Sequence, residues 1–140
     1  FYRSYQDLGP SKVVQFHTHL RMGACSRSVF GNPCFSLGGD TTIRGIGRDT
    51  LEGDVFVLSN VQLLIPLADK QYIRGIVFLD AGAAADSMSS AIPRRAAAGF
   101  GAGLVWKLKN FVRTDVRVEL AHGLDAKGGT RVYAATSMLF

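Results

Sequence analysis

The stretch "VVQFHTHLRMG", Val13 to Gly23, decides how the rest of the chain is read. Val14, Phe16, Thr18, Leu20 and Met22 fall on one face of an extended segment, and Gln15, His17, His19 and Arg21 on the other. The period is two, so the segment is a strand. Similar segments follow: "VFVLSNVQLLIPL" from Val55, "YIRGIVFLDAG" from Tyr72, "RRAAAGFGAGLVWKLK" from Arg94, "FVRTDVRVELAHG" from Phe111 and "TRVYAATSMLF" from Thr130. "FYRSY", at residues 1–5, reads as the tail of an earlier strand. Each of the later segments is close to the roughly 9–11 residues that a tilted strand needs to cross a bilayer.

A chain of 140 residues is sized for one domain. It opens on Phe1 with no signal-peptide order, which reads as the interior of a longer protein. No run approaches the roughly 18 apolar residues of a membrane-spanning helix, so a helical membrane protein is excluded. The net charge of +5 is scattered among acids rather than gathered into a stripe, so nucleic acid is not an expected partner.

Alternation by itself does not say which face meets what, because a soluble sheet with one buried face has the same period. The connections discriminate better. In order they are "QDLGPSK", some thirty residues around 26–54, "ADKQ", "AAADSMSSAIPR", "KN" and "LDAKGG", so short and long alternate. Transmembrane barrels have short periplasmic turns and longer extracellular loops, and with a periplasmic C-terminus every long connection here falls outside. In the penultimate strand Val116, Val118 and Leu120 share one face while Asp115, Arg117 and Glu119 share the other. A wet lumen accepts that face, and so does a solvated sheet. Gly99, Gly101 and Gly103 fall on one face of the strand before it. Glycine is poor in strands, and three at period two imply that something packs closely there, such as an inserted loop.

The longest connection holds "LGGDTTIRGIGRDTLEGD", Leu37 to Asp54, with five glycines and a central Arg44. Cys25 and Cys34 lie nearby, and the spacing fits equally a loop disulfide in an oxidising compartment or two separate thiols. His17 and His19 could make half of a metal site, but no third ligand stands at useful spacing, so no metal is expected. "GIGRD" is no phosphate loop, since no Gly-Lys-Ser/Thr follows. His122 and several Asp and Ser residues have no nucleophile elbow to accompany them. Neither an enzyme nor a cofactor is expected.

"GGDTTIRGIG" resembles the conserved-loop motif of the bacterial surface antigen superfamily, the BamA/TamA group of outer-membrane barrels, whose core is Arg-Gly followed by an aromatic. "FLDAG", Phe78 to Gly82, resembles that family's F-x-D-x-G strand motif, and the chain ends on Phe140, similar to the terminal aromatic by which barrel strands are recognised for insertion. The resemblance runs from the strand before the loop to the terminus, in the family's order. It implies an all-β fold, an antiparallel meander of six to seven strands forming the C-terminal portion of a transmembrane β-barrel over residues 1–140. It also implies that the long loop folds back into the barrel and carries Arg44 and Gly45 to a wall formed by Phe78, Asp80 and Gly82. Arg44 would pair with Asp80 there. Glycines 38, 39, 45 and 47 would let the loop backbone turn and approach the wall. Two positions depart from the pattern: Ile46 replaces the usual aromatic, and Gln62 stands where many members carry a glutamate that also contacts the arginine. Gln62 would still accept a hydrogen bond without neutralising charge.

The implied function is insertion or translocation of other proteins across the bacterial outer membrane, ahead of an organelle's outer membrane. Its partners would be the lipid bilayer, unfolded outer-membrane or secreted clients, and periplasmic proteins reached through an N-terminal region. The alternatives are a barrel of the same fold serving as pore or anchor for a fused domain, and a soluble β-barrel binding a small molecule. The membrane reading puts Val14, Phe16, Leu20, Val116, Val118 and Leu120 on the convex face. Phe140 would lie at the lipid-facing periplasmic rim. Six or seven strands do not close the family's barrel of about sixteen, so the chain would belong to a longer protein or would associate.

Overall fold

The computed structural model describes residues 2–8, 14–26, 32–67, 72–86, 95–108, 114–125 and 128–138. Seven strands form one antiparallel meander: β1 (Tyr2–Leu8), β2 (Val14–Ala24), β5 (Val55–Pro66), β6 (Ile73–Ala85), β7 (Arg95–Leu108), β8 (Thr114–Gly123) and β9 (Thr130–Met138), each paired to the next in that order. The strand of which the "FYRSY" tail is part runs on from Tyr2 to Leu8. Two further short strands, β3 (Phe35–Leu37) and β4 (Leu51–Gly53), pair with each other inside the long connection between β2 and β5. Those two were not legible in the loop's irregular period. They form because Leu37 and Leu51 stand opposite each other and both point into the same apolar core.

The register sorts the side chains into two faces, because residues opposite each other on neighbouring strands lie on the same side of a sheet. One row runs Phe16, Leu63, Val77, Ala102, Leu120 and Val132 across six strands. The next row of the other face runs His17, Gln62, Phe78, Gly101, Ala121 and Arg131. The loop packs against this second face, which is the inner one. The outer face bares Leu79, Phe100, Leu104, Trp106, Val118 and Leu120, each about half exposed, and Val132 at 70%. A contiguous apolar surface of this kind faces lipid rather than water. Val14, Phe16, Leu20 and Val116 fall on the same outer side by strand parity.

The inner face is not uniformly polar. Leu64, Ile76, Phe78, Val105 and Ala121 form one buried cluster on it, with Tyr133 packed against them. Nearer the end of the sheet where the long loop enters, Leu58, Ala84 and Ala97 of the wall close over Leu37, Ile43, Ile46 and Leu51 of the loop, with Phe56 alongside. Ile43 and Ile46 are completely buried. Withdrawing each from water is worth about 1.5–3 kcal/mol. The loop is thus held by its own hydrophobic core, and Ile46 fills a place in it without being aromatic.

Candidate functional site

The site is the tip of the long loop against β6, β7, β8 and β9. In "FLDAG" the alternation of β6 turns Phe78, Asp80 and Gly82 inward and Leu79 and Ala81 outward. Each of the three inward positions has a separate task. Asp80 is fully buried and accepts a fork from Arg44, whose Nε lies 2.7 Å from one carboxylate oxygen and whose Nη2 lies 2.8 Å from the other. The Arg44 backbone N–H donates to the same carboxylate at 3.1 Å, and Asn60 donates at 2.8 Å. Four donors compensate the desolvation of this charge, the condition under which a carboxylate can lie in an interior. Phe78 lies beneath the guanidinium, with Cζ of Arg44 3.5 Å from the ring centroid, a cation–π contact. At Gly82 a Cβ would come within 2.8 Å of Ile43 Cδ1, so the missing side chain makes room for the loop's core.

The far side of Arg44 reaches β8. Its Nη1 donates to Glu119 at 3.0 Å, and Glu119 is itself buried. Burial alone would push the guanidinium down, but the hydrogen bonds and charge of Asp80, followed by those of Glu119, outweigh it and hold Arg44 above its ordinary range. The arginine stays cationic at any pH the protein meets.

Around this bridge the loop backbone is satisfied residue by residue. Arg21 donates to the Thr41 carbonyl at 2.8 Å and Asn60 to that of Thr42 at 2.7 Å. Gly45 donates its N–H to the Tyr133 hydroxyl at 3.0 Å, and its carbonyl accepts from Gly129 N–H at 3.2 Å. Gly45 has φ +88°, and a Cβ there would lie 2.4 Å from the backbone nitrogen of Gly123. Both conformation and contact require glycine.

Of the residues singled out in the sequence, Arg44, Gly45, Phe78, Asp80 and Gly82 come together at one place. Gln62 does not join them, which corrects the expectation that it would accept a bond from Arg44. It lies on β5, opposite Phe78, whereas the guanidinium extends from β6 toward β8. The Oε1 of Gln62 is buried with no hydrogen-bond partner. Cys25 and Cys34 are joined in a disulfide. The Cys25 N–H donates to the Asp54 carbonyl at 2.9 Å and the Cys34 N–H to the Asp54 side chain at 3.2 Å, which brings the disulfide to the start of β5. His17 packs edge-on against Tyr5 on the inner face. His122 lies on the outer side against Phe100, within 2.9 Å of the Thr130 hydroxyl. Phe140 lies outside the described residues.

Glu119, Tyr133, Asn60 and Arg21 complete the site and were not singled out for it in the sequence. Their common signal is parity, since each is a polar residue at an inward position of a strand whose outward neighbours are mostly apolar.

A strip of barrel wall, apolar outside, with a loop tip pinned inside by a buried arginine, defines a class: a wall segment of a transmembrane β-barrel with an inserted loop. A family model, the Omp85 superfamily domain, matches residues 2–114. The chain belongs to that superfamily of outer-membrane barrels. Its fold is also similar to the crystal structure of BamA from Haemophilus ducreyi lacking POTRA domains 1–3, with a TM-score of 0.68 at 15% identity, over 96% of this chain and 34% of that one. The chain therefore spans about a third of the length of the protein it matches, and at that identity the likeness is one of fold. A search of curated proteins by sequence gives no match.

Proposed function

We propose that residues 1–140 are the C-terminal part of a barrel that inserts other proteins into the bacterial outer membrane or moves them across it. The observation that carries this reading is the loop tip around Arg44 docked on the inner wall through the buried Arg44–Asp80 fork. Arg44, Gly45, Phe78, Asp80 and Gly82 act as loop-to-wall contacts, without covalent chemistry and without a cofactor. A loop so anchored narrows the lumen and braces the strands it touches, and both properties suit a barrel whose wall takes part in handling a client. The partners on this reading are the bilayer, unfolded outer-membrane or secreted proteins, and periplasmic proteins engaged by a region outside this chain. Phe140 serves as the insertion signal of the barrel itself.

The test is reconstitution of the full-length protein in liposomes with an unfolded reporter barrel supplied from outside. Accelerated folding of the reporter by the wild type, and loss of that acceleration in Arg44→Ala at equal protein incorporation, is the expected result. Unaltered reporter folding together with a stable ion conductance would instead indicate a pore or an anchor for a fused domain.

A further inference from the structure

The contacts of Arg44 cross a strand. Asp80 lies on β6 and Glu119 on β8, so the guanidinium and its partners pass over the inner face of β7, which lies between them. Along that crossing β7 carries Gly99, Gly101 and Gly103 at its inward positions. A Cβ at Gly99 would lie 1.9 Å from the Arg44 carbonyl oxygen, one at Gly101 2.4 Å from the Phe78 ring, and one at Gly103 2.9 Å from Glu119 Cγ. The glycine row is therefore a trough whose contents are the loop backbone, the ring under the arginine and the second carboxylate. A side chain at Gly99 could not coexist with the bridge, while at Gly101 and Gly103 a Cβ would first meet the β8 carbonyls of Leu120 and Val118, at 2.2 and 2.3 Å, and then the ring and the carboxylate.

Beyond the trough, the same few loop residues reach β9. Gly45 is bound to the Tyr133 hydroxyl through its N–H and to Gly129 through its carbonyl. Glu119 and Tyr133 also stand opposite each other in the β8–β9 register. The second oxygen of Glu119 lies 3.4 Å from Arg117 Nε, so one carboxylate serves two cations. Among the described residues β9 has a strand neighbour only on its β8 side. The bonds from the loop tip are attachments of β9 additional to its backbone pairing with β8.

We infer that Glu119 and Tyr133 are positioning residues that lock the β8–β9 hairpin to β6 through the loop tip, with the β7 glycines as the bed that admits the lock. The loop then sets the order of the last hairpin of the wall, in addition to occupying the lumen. Gln62 cannot supply this second anchor, because it lacks charge and lies on the opposite side of Phe78 from β8.

The lock rests on the contacts and not on the proposed activity, so its failure would leave the insertion reading standing. The experiment is hydrogen–deuterium exchange on the full-length protein in lipid nanodiscs. Glu119→Gln keeps the size of the side chain and removes its charge, and Tyr133→Phe removes one hydroxyl. Losing a charge-assisted bond should speed exchange of the β8 and β9 amides by about tenfold, while β5 and β6 keep their protection. Glu119→Asp, which keeps the charge, should recover most of the loss. Unchanged exchange in the hairpin would overturn the lock, and so would equal acceleration in every strand, since that marks general destabilisation. If Glu119→Gln fails to reach the membrane, Tyr133→Phe decides by the same two outcomes.

Discussion

Arg44 and Asp80 are each buried, and neither is tolerable without the other. Removing one member of such a pair leaves an uncompensated charge, at about 3–5 kcal/mol in well-buried cases. Arg44→Ala and Asp80→Ala should therefore lower stability by similar amounts in urea unfolding of the full-length protein, and the double variant should be no worse than either. A strictly additive cycle would mean that Arg44 does not act through Asp80. Arg44→Lys should recover little, because an ammonium cannot reproduce the fork onto Asp80 together with the bond to Glu119. Gly99 offers a second test at the same scale. The Cβ of an alanine there would lie 1.9 Å from the Arg44 carbonyl oxygen, a backbone atom with no flexible side chain to yield. Gly99→Ala should expose the loop to added protease as fully as Arg44→Ala does. Gly129→Ala, where a Cβ meets nothing within 4 Å, should leave cleavage at the wild-type level.

At the scale of elements, the β3–β4 hairpin is the part of the loop with regular structure, and the disulfide ties its root to the end of β2. Phe35, next to Cys34, packs at a tilt against Phe56 of β5, 4.7 Å between ring centroids, so covalent and apolar fastenings coincide. Closing a loop of this length lowers the entropy of the unfolded chain by the equivalent of about 3 kcal/mol. In protein isolated without reductant, Cys25 and Cys34 should not react with an alkylating reagent. Cys25→Ser with Cys34→Ser should lower the unfolding midpoint by a corresponding amount, yet leave Arg44 docked, because the fork, the Ile43 and Ile46 core and the Asn60 bond do not depend on the sulfurs. Labelling of a cysteine placed at residue 41 would report loop release, and rapid labelling in the double serine variant would show the disulfide to be essential for docking.

At the scale of the whole molecule, two environments act on opposite faces of one sheet. Lipid meets Val77, Leu79, Leu104 and Leu120 outside, while the loop and its ion pairs fill the space inside. A charge introduced on the lipid side costs about 2–4 kcal/mol near the bilayer midplane. Leu79→Arg should thus reduce the amount of folded protein in outer membranes, as read by the heat-modifiable band on a gel. The adjacent position on the same strand, Asp80, tolerates a full charge because four donors surround it. Folded protein at wild-type levels in Leu79→Arg would mean that this face does not meet lipid.

The strands, their parity and their meander order were legible in the chain itself, because a period of two states which side chains share a face and short connections state which strands pair. "FLDAG" was legible in the same way: three alternate positions, one ring, one carboxylate and one glycine, all on one face. What alternation left open was which face is the inside. Only the folded sheet answered that, by packing Leu37, Ile43, Ile46 and Leu51 of the loop against one side and leaving Val132 and Leu79 bare on the other. The partners of the loop tip were also decided in three dimensions. Glu119 is 75 residues from Arg44 and Tyr133 is 88 residues from Gly45, and the choice of Glu119 over Gln62 follows from the direction in which the guanidinium leaves Asp80. Local period reports what a strand presents to each side, whereas a buried charge selects its partners by distance, and distance across four strands is a property of the strand pairing and its register.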